Sequence, residues 1–288
     1  MLEDARVRDI ERELNRLRQE SVESGQAAQR TSVLTHIAWV PERWAELASE
    51  VIEGLGERLP SRAIILRPQP DDERDALDAD VDLRCFTRSG QAGAVCSEVI
   101  EVRLCGSRAC APGSVVEPLL IPDLPVFLRW RGQLPFGEPE LDQLVSAADR
   151  LVVDSSEWPT PEDDYARVAE LLDRIALSDI AWARTQPWRE AVAGLWPEIE
   201  DCETVRVAGP HPEALLIARW LATRLRRDVE LDHEPAGEIE LVEVDGRDAR
   251  PERLDALSPA DLLSEQLELF GRDRMYEEAV RSFSSVPT

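Results

Sequence analysis

The residues whose types and spacing could do chemistry are two arginines around a tryptophan, Arg129-Trp130-Arg131. Pro122 and Pro125 precede them. Because proline fixes φ and donates no backbone hydrogen bond, the sequence predicts an extended entry and a strand that begins near Val126. Alternation along a strand places both arginines on one face and the tryptophan on the other. No nucleophile, acid or metal ligand accompanies them, so the segment predicts a contact surface first and a catalytic site only second.

A second candidate is Asp154-Ser155-Ser156, which ends a predicted strand. In open α/β sheets, ligands bind outside the carboxyl ends of the strands. Two interpretations stay open at this point: these residues line a pocket, or they cap the helical segment that follows. Nucleophilic catalysis by the serines is unsupported, because no histidine partner lies nearby in the sequence.

The sequence lacks the common motifs of catalytic and cofactor-binding sites. It contains no glycine-rich dinucleotide fingerprint, Walker loop, Gly-x-Ser-x-Gly elbow or His-Glu-x-x-His helix. The acid-rich segment 71–80 is predicted to be a solvated loop, because it lacks the fixed spacing and turn glycine of a calcium site. The residues themselves therefore give no support for a particular catalytic reaction, and we expect neither a metal nor a cofactor.

The five cysteines, at positions 85, 96, 105, 110 and 202, match no Cys-x-x-Cys zinc or redox pattern. The favoured interpretation is that they are small buried side chains with inert thiols, as is usual in a reducing compartment. Four of them lie between residues 85 and 110. A thiol switch among these four is the alternative, although spacing alone does not reveal which sulfurs meet.

The charge of the chain excludes some partners. Its 58 acidic residues outnumber 33 basic ones, all of them arginine, so the net charge is -25. Nucleic acid and anionic membrane surfaces are disfavoured, because both need clustered positive charge. No apolar run approaches the roughly 18 residues needed to cross a bilayer, and the first twenty residues do not resemble a signal peptide. We expect a cytoplasmic protein.

Hydrophobic periodicity predicts the elements that must position these residues. The first 158 residues alternate between strand and helix patterns. We predict helices at 3–20, 41–55, 107–117 and 141–148, and strands at 31–40, 61–66, 81–87, 95–104, 126–130 and 151–154. The strands 81–87 and 95–104 form an antiparallel pair around Gly90 and Gly93. The alternation of the other predicted strands with helices favours a largely parallel sheet with helices packed on it.

The remaining residues predict a helical bridge and a smaller α/β unit. Helices are predicted at 162–177, 178–195 (with Ser178 as N-cap and an interruption near Pro187), 212–225, 261–270 and 274–283, and strands at 204–208, 228–231 and 238–244. The fold class is therefore α/β, with a larger, mostly parallel N-terminal sheet. The domains are predicted as 1–30 (amphipathic helix and linker), 31–158 (N-terminal α/β domain) and 159–288 (helical bridge and smaller α/β domain).

Tryptophan is unusually frequent, with eight residues against two tyrosines. Buried tryptophans usually pack in cores or between domains. Tryptophan beside arginine is also the pair enriched at the energetic centres of protein interfaces. Trp130 and the neighbours Trp188 and Arg189 fit the second pattern, so both interpretations remain.

Six ordered segments resemble a known family. They are 30–35, 60–64, 95–98, 119–132, 149–156 and 177–190, and the resemblance covers about residues 30 to 226. These segments are similar to the glucose-6-phosphate dehydrogenase assembly proteins of bacteria, the OpcA type. The resemblance implies a non-catalytic partner that binds glucose-6-phosphate dehydrogenase and favours its active oligomer.

The resemblance also directs attention to particular residues. The partner-binding surface is predicted to contain Arg62, Arg129, Trp130, Arg131, Trp188 and Arg189. Asp154, Ser155 and Ser156 are predicted to line a pocket, and redox control in related photosynthetic systems makes Cys96 a candidate redox residue. The alternative function is an α/β enzyme, or a sugar-nucleotide or sugar-phosphate binder, that uses the crevice near Asp154.

Overall fold

The computed structural model describes residues 1–23, 32–56, 59–87, 94–254 and 257–284. The predicted turn around Gly90 and Gly93, and most of the linker predicted at 21–30, lie outside these residues. The chain divides into two compact units. The first unit is Met1–Val152 with Pro259–Glu268, and the second is Val153–Ser258 with Leu269–Thr288. The domain boundaries expected at residues 30 and 158 stay a prediction.

Strands and helices alternate along most of the chain. In order they are α1 (Val7–Glu23), β1 (Leu34–Trp39), α2 (Ala45–Gly56), β2 (Ser61–Gln69), β3 (Leu77–Thr87), β4 (Ala94–Cys105), α3 (Gly113–Val116), β5 (Val126–Trp130), α4 (Pro139–Ala147), β6 (Arg150–Val153), α5 (Pro161–Leu171), β7 (Ala176–Asp179), α6 (Ile180–Arg184), α7 (Gln186–Ala193), β8 (Thr204–Gly209), α8 (His211–Leu225), β9 (Glu230–Pro235), β10 (Leu241–Val244), β11 (Arg247–Asp248), α9 (Pro259–Leu267) and α10 (Arg274–Arg281). Short 3-10 turns connect several of them, including Glu42–Trp44 before α2.

A seven-stranded sheet has the order β3-β4-β2-β1-β5-β6-β7. The pairings of β4 with β2, β2 with β1, β1 with β5 and β5 with β6 are parallel, and β3 runs antiparallel to β4. The predicted α/β class, with a mostly parallel sheet extended by an antiparallel pair, is confirmed. From β1 the chain moves to one side for β2, β3 and β4, and β5 then lies on the other side of β1.

Both faces of the central strands are covered. On one face, Ala38 and Val40 of β1 cluster with Ala63, Ile65 and Val99 and with Ala48 of α2. The alternating residues on the other face include Ile37, Ile64, Ile100 and Leu128, which are all fully buried. Parallel strands covered in this way are apolar on both sides, so any charged side chain on them must find its partners inside the protein.

A second, four-stranded sheet has the order β11-β10-β8-β9. β8 pairs parallel with β9 and antiparallel with β10. Helix α8 follows β8 and buries Leu216, Ile217 and Leu221, so a smaller α/β unit is present as predicted. Within the described residues, no helix is both long enough and apolar enough to span a membrane.

The helix predicted at 162–177 is too long. Helix α5 ends at Leu171, and residues 176–179 form β7. Leu172 and Ile175 continue the apolar stripe of the helix past its end, and a four-residue strand is too short to show alternation. The N-cap of α6 is Asp179, whose Oδ1 accepts from Ala181 N at 2.9 Å, so the prediction of Ser178 as the cap is wrong.

The acid-rich segment 71–80 is only partly a loop. Strand β3 begins at Leu77, and the carboxylate of Asp78 is buried. Its Oδ1 accepts from Asp4 N at 3.1 Å, and Arg74 Nη2 donates to its Oδ2 at 3.2 Å. One partner of the buried Asp78 is therefore Asp4, which lies far outside the segment in the sequence. For this reason the acidic composition of the segment did not indicate a strand.

Candidate functional site

The Arg129 and Trp130 side chains at the end of β5 are buried, at 2% exposure each. The rings of Trp130 and Trp39 stack with centroids 4.8 Å apart, and Trp130 Nε1 donates to Gln133 O at 3.2 Å. Arg129 Nη1 donates to the carbonyl oxygens of Trp130 and Val152. Both side chains therefore hold the carboxyl end of the sheet together.

Arg131 is the third residue of this run and is 8% exposed. Its guanidinium carbon lies over the ring of Trp44, 4.5 Å from the ring centroid. Trp44 ends the 3-10 turn that follows β1. A cation over an indole face is attracted by the ring quadrupole, so this contact holds the loops after β1 and β5 to each other.

Arg62 on β2 is occupied by internal partners. Its Nε donates to Glu98 Oε2 at 2.7 Å, and its Nη1 donates to Leu119 O at 2.5 Å. Glu98 also accepts from Arg18 Nε of α1 at 2.7 Å. Burial raises the pKa of Glu98, but the two guanidinium charges outweigh it and hold the pKa below its usual value. This buried network ties β2, β4 and α1 together.

Arg189 on α7 differs from these arginines. It is 8% exposed, its guanidinium carbon lies 3.4 Å from the centroid of the Trp182 ring, and Nε donates to Thr185 Oγ1 at 2.9 Å. The Trp220 ring lies 6.0 Å away. The neighbouring Trp188 is buried at 3% exposure. Two indoles and a hydroxyl thus hold one guanidinium in a fixed orientation.

No carboxylate among the described residues lies within salt-bridge distance, 4.0 Å, of Arg189. Burial lowers its pKa to about 10, and the charges of Asp273 and Glu190 oppose that shift only in part. A desolvated cation without a paired anion is costly. Its remaining N–H groups are suited to a carboxylate or phosphate from outside the chain.

Asp154 and Ser156 bind to each other and to Arg184. Asp154 Oδ1 accepts from Ser156 N at 3.2 Å and from Ser156 Oγ at 2.6 Å. Arg184 contacts both carboxylate oxygens of Asp154, at 2.7 and 3.1 Å, and Glu213 Oε1 at 2.8 Å. Asp154 is the N-cap of the 3-10 turn Ser155–Glu157, which confirms the capping interpretation. The pocket stays a prediction.

The sequence did not reveal the buried carboxylate of Asp179. This residue is fully buried, and its Oδ1 accepts from Ser155 N at 3.0 Å. The hydroxyls of Tyr165 and Tyr276 lie 3.5 Å from its Oδ2. Burial, and then the charge of Asp154, raise the pKa of Asp179 to about 7. The available signal is an Asp directly before an apolar helix, but the helix predicted from Ser178 places Asp179 in its first turn.

Cys85 and Cys96 face each other across β3 and β4 and form a disulfide. The interpretation of inert thiols is therefore wrong for this pair. Cys105 and Cys202 are buried thiols whose pKa burial raises. The redox role of Cys96 stays a prediction. In the described part of the chain, no group of three or more His, Cys, Asp or Glu residues could hold a metal ion.

The structure divides the predicted site residues between the two units. Arg62 and the run Arg129–Arg131 lie in the first unit, whereas Trp188, Arg189 and the Asp154–Ser156 segment lie in the second. None of the six side chains predicted to bind a partner is more than 8% exposed. They therefore do not form a broad exposed patch on this chain, and their contact with a partner stays a prediction.

Two family models match the chain in order. The first, described as the N-terminal domain of the glucose-6-phosphate dehydrogenase subunit, matches residues 53–170. The second, described as the C-terminal domain of the same protein, matches residues 175–280. The two matches follow each other almost without a gap.

Cyanobacterial proteins are similar to the chain as well. A protein of Synechocystis sp. is 30% identical over 190 residues, 62% of this chain. Proteins of Synechococcus elongatus and Nostoc punctiforme are 27% and 26% identical over 177 and 186 residues, 58% and 61% of this chain. All three carry the provisional name OxPP cycle protein OpcA. The matched part spans 40% of the length of each relative.

Proposed function

The chain belongs to the OpcA family of glucose-6-phosphate dehydrogenase assembly proteins, and from this premise we propose that it binds glucose-6-phosphate dehydrogenase in the cytoplasm. By binding, it favours the assembled, active form of that enzyme in the oxidative pentose phosphate pathway. It makes and breaks no covalent bond itself. The observation that carries the proposal is the ordered match of both family models, since each of the two compact units contains most of one match.

Activation of this kind needs only a difference in affinity. A protein that binds the active oligomer more tightly than the inactive form shifts the population by that difference, about 1.4 kcal/mol for each factor of ten. No catalytic group of the assembly protein has to reach the substrate. The absence of catalytic motifs from the sequence is compatible with this mechanism.

Arg189 is the side chain that we assign to direct contact with the dehydrogenase. Its guanidinium is fixed by Trp182 and Thr185 and has no carboxylate partner among the described residues. The orientation is therefore set before binding, and a carboxylate of the partner would complete the pair in a site that is already largely desolvated. Arginine and tryptophan dominate the energetic centres of interfaces for these reasons.

The other five predicted contact residues are buried in their own units, four in the first and Trp188 in the second. Arg62 is paired with Glu98, and Arg129 and Trp130 are packed at the end of β5. Arg131 lies over Trp44. We propose that each of these residues, and the buried Trp188, stabilises the unit in which it lies, so their loss acts through folding.

The proposal is tested by mixing the purified chain with the dehydrogenase of its own organism. Light scattering after size exclusion should show a heavier complex, and glucose 6-phosphate kinetics should change. Arg189→Met should weaken binding by about 10- to 1,000-fold, the range of interface hot spots. Arg206→Met is the matched control, because Arg206 is an exposed arginine of the same unit and already has carboxylate partners.

The possible outcomes test the assembly function and the role of Arg189 separately. Unchanged mass and kinetics with the unmodified chain would refute the assembly function. Unchanged binding by Arg189→Met would refute only the role of Arg189. The alternative function, a sugar-phosphate site near Asp154, gains no support, because Arg184 and Ser156 already occupy the Asp154 carboxylate.

A further inference from the structure

Trp220 on α8 supplies the second of the two indole rings near Arg189, and both residues lie in the second unit. The guanidinium carbon of Arg189 lies 6.0 Å from the centroid of the Trp220 ring. Trp220 is buried at 7% exposure, and its Nε1 is shielded from water without a hydrogen-bond acceptor. Buried tryptophans usually place this N–H on a partner, and a buried donor that lacks one carries its full desolvation penalty.

The other indole, Trp182, has its acceptor inside the chain. Its Nε1 donates to Asp273 Oδ2 at 2.7 Å. The Oδ1 atom of Asp273 accepts from Met275 N and Tyr276 N at 3.0 and 3.1 Å, at the start of α10. Both oxygens of this carboxylate are therefore occupied, which explains why Asp273 does not pair with Arg189.

The guanidinium of Arg189 has one nitrogen left over. Its Nε donates to Thr185 Oγ1 at 2.9 Å, and its Nη2 contacts Trp182 O at 3.5 Å, whereas Nη1 makes no hydrogen bond to any residue that the structure describes. Arg189 Nη1 and Trp220 Nε1 are thus two donors without acceptors on neighbouring side chains. A carboxylate offers two oxygens and one negative charge, which matches two donors that carry one positive charge between them. A phosphate monoester carries about two negative charges at neutral pH, which one guanidinium does not balance.

We infer that Trp220 Nε1 is a second donor to the dehydrogenase carboxylate that Arg189 binds, and that this carboxylate belongs to an aspartate or glutamate side chain. The inference rests on the proposed function and adds a residue to its site. One carboxylate oxygen accepts from Arg189 Nη1 and the other from Trp220 Nε1. Because Nε1 is shielded in the free chain, the ring of Trp220 adjusts when the partner binds, as interface side chains commonly do.

Trp220→Phe tests the inference, because phenylalanine keeps an aromatic ring at this position and lacks the N–H donor. Titration calorimetry with the dehydrogenase should show binding that is about 10- to 100-fold weaker, the range for a hydrogen bond to a charged group. If Trp220→Phe does not fold, benzothienylalanine at position 220 replaces it, since this residue keeps the bicyclic shape and has sulfur in place of the N–H. It should weaken binding by the same factor.

Trp158→Phe is the matched control. Trp158 lies in the same unit, is 5% exposed and also has a buried Nε1 without an acceptor, but its ring contacts Tyr165, with the centroids 5.4 Å apart. Both substitutions remove the same volume and the same kind of N–H group. The urea midpoints of the two variants should therefore fall by similar amounts, and only Trp220→Phe should lose affinity for the dehydrogenase.

A double variant shows whether the two donors act on one carboxylate. Substitutions of residues that share a partner are not additive, so Arg189→Met with Trp220→Phe should bind no more than about threefold more weakly than Arg189→Met alone. Equal affinities of Trp220→Phe and Trp158→Phe would overturn the inference, and so would losses that multiply in the double variant. Failure of the unmodified chain to bind the dehydrogenase would instead refute the proposed function, and the inference with it.

Discussion

Replacing Asp179 by Asn tests whether burial raises the pKa of this carboxyl group and makes the stability of the fold depend on pH. The Oδ1 atom of Asp179 accepts from the backbone N–H groups of Ser155 and Ala181 at 3.0 and 2.9 Å, and an Asn Oδ1 can accept both bonds. The hydroxyls of Tyr165 and Tyr276 lie 3.5 Å from the second oxygen. The substitution therefore keeps the shape and the two backbone contacts, removes the ability to ionise, and places an NH2 group where the second oxygen lies.

The size of the effect follows from the pKa. Folding raises the pKa of Asp179 from 3.8 to about 7, roughly 3 units, and each unit is worth about 1.4 kcal/mol. The folded state favours the protonated form, so this group stabilises the fold below pH of about 4. That stabilisation is lost as the pH rises to about 7. The total loss is on the order of 4 kcal/mol, whereas Asn does not titrate.

The assay is urea unfolding of both proteins between pH 4 and pH 8. The free energy of unfolding of Asp179→Asn, minus that of the unmodified chain, should rise by about 4 kcal/mol over this range and level off above pH 7. Asp173→Asn is the control, because Asp173 is exposed and, among the described residues, forms one ion pair, with Arg281 at 2.8 Å; its difference should stay nearly flat. A difference that does not change with pH for Asp179→Asn would refute the reasoning.

Three other substitutions have expected outcomes. Arg189→Met should keep the free energy of unfolding within about 1 kcal/mol in urea, because relief of an unpaired buried charge offsets its lost contacts; a loss above about 3 kcal/mol would show that Arg189 is paired. Glu98→Gln leaves the buried Arg62 without its carboxylate and should lose about 3 kcal/mol, which thermal or urea unfolding measures; no loss would contradict the network. Serine at both Cys85 and Cys96 removes a crosslink between residues 11 positions apart and should lose about 3 kcal/mol by chain entropy. If Cys96 is a redox residue, dithiothreitol should change dehydrogenase activation by the unmodified chain and not by the double serine variant.

The large sheet could be predicted from the sequence because residues that interrupt regular structure mark the ends of its strands. Prolines and glycines bound β1, β2 and β5, and the antiparallel β3 and β4 have long apolar alternation. The short β7 has neither feature. Its residues continue the spacing of α5, and only its pairing in the folded sheet distinguishes it from helix. Asp179 was missed for the same reason, since its burial depends on where that strand ends.

The binding residues were harder to predict than the fold. Alternation along β5 shows which side chains share a face, but not whether an element covers that face. Both faces of β5 are covered, so Arg129 and Trp130 are 2% exposed. A charge reversal at positions 129–131 would therefore unfold the sheet end, and it could not distinguish a docking surface from a core.

Whether an arginine is paired with a carboxylate in the folded chain indicates its role in binding better than its neighbours in the sequence do. With 58 acidic residues for 33 basic ones, an arginine on this chain meets a carboxylate by default. Arg62 and Arg184 do so and act inside the fold. Among the described residues, the buried Arg189 lies against an indole with no carboxylate within salt-bridge distance. In so acidic a chain, a cation held in one orientation without a paired carboxylate needs an explanation. Binding of an oxyanion from a partner would explain it.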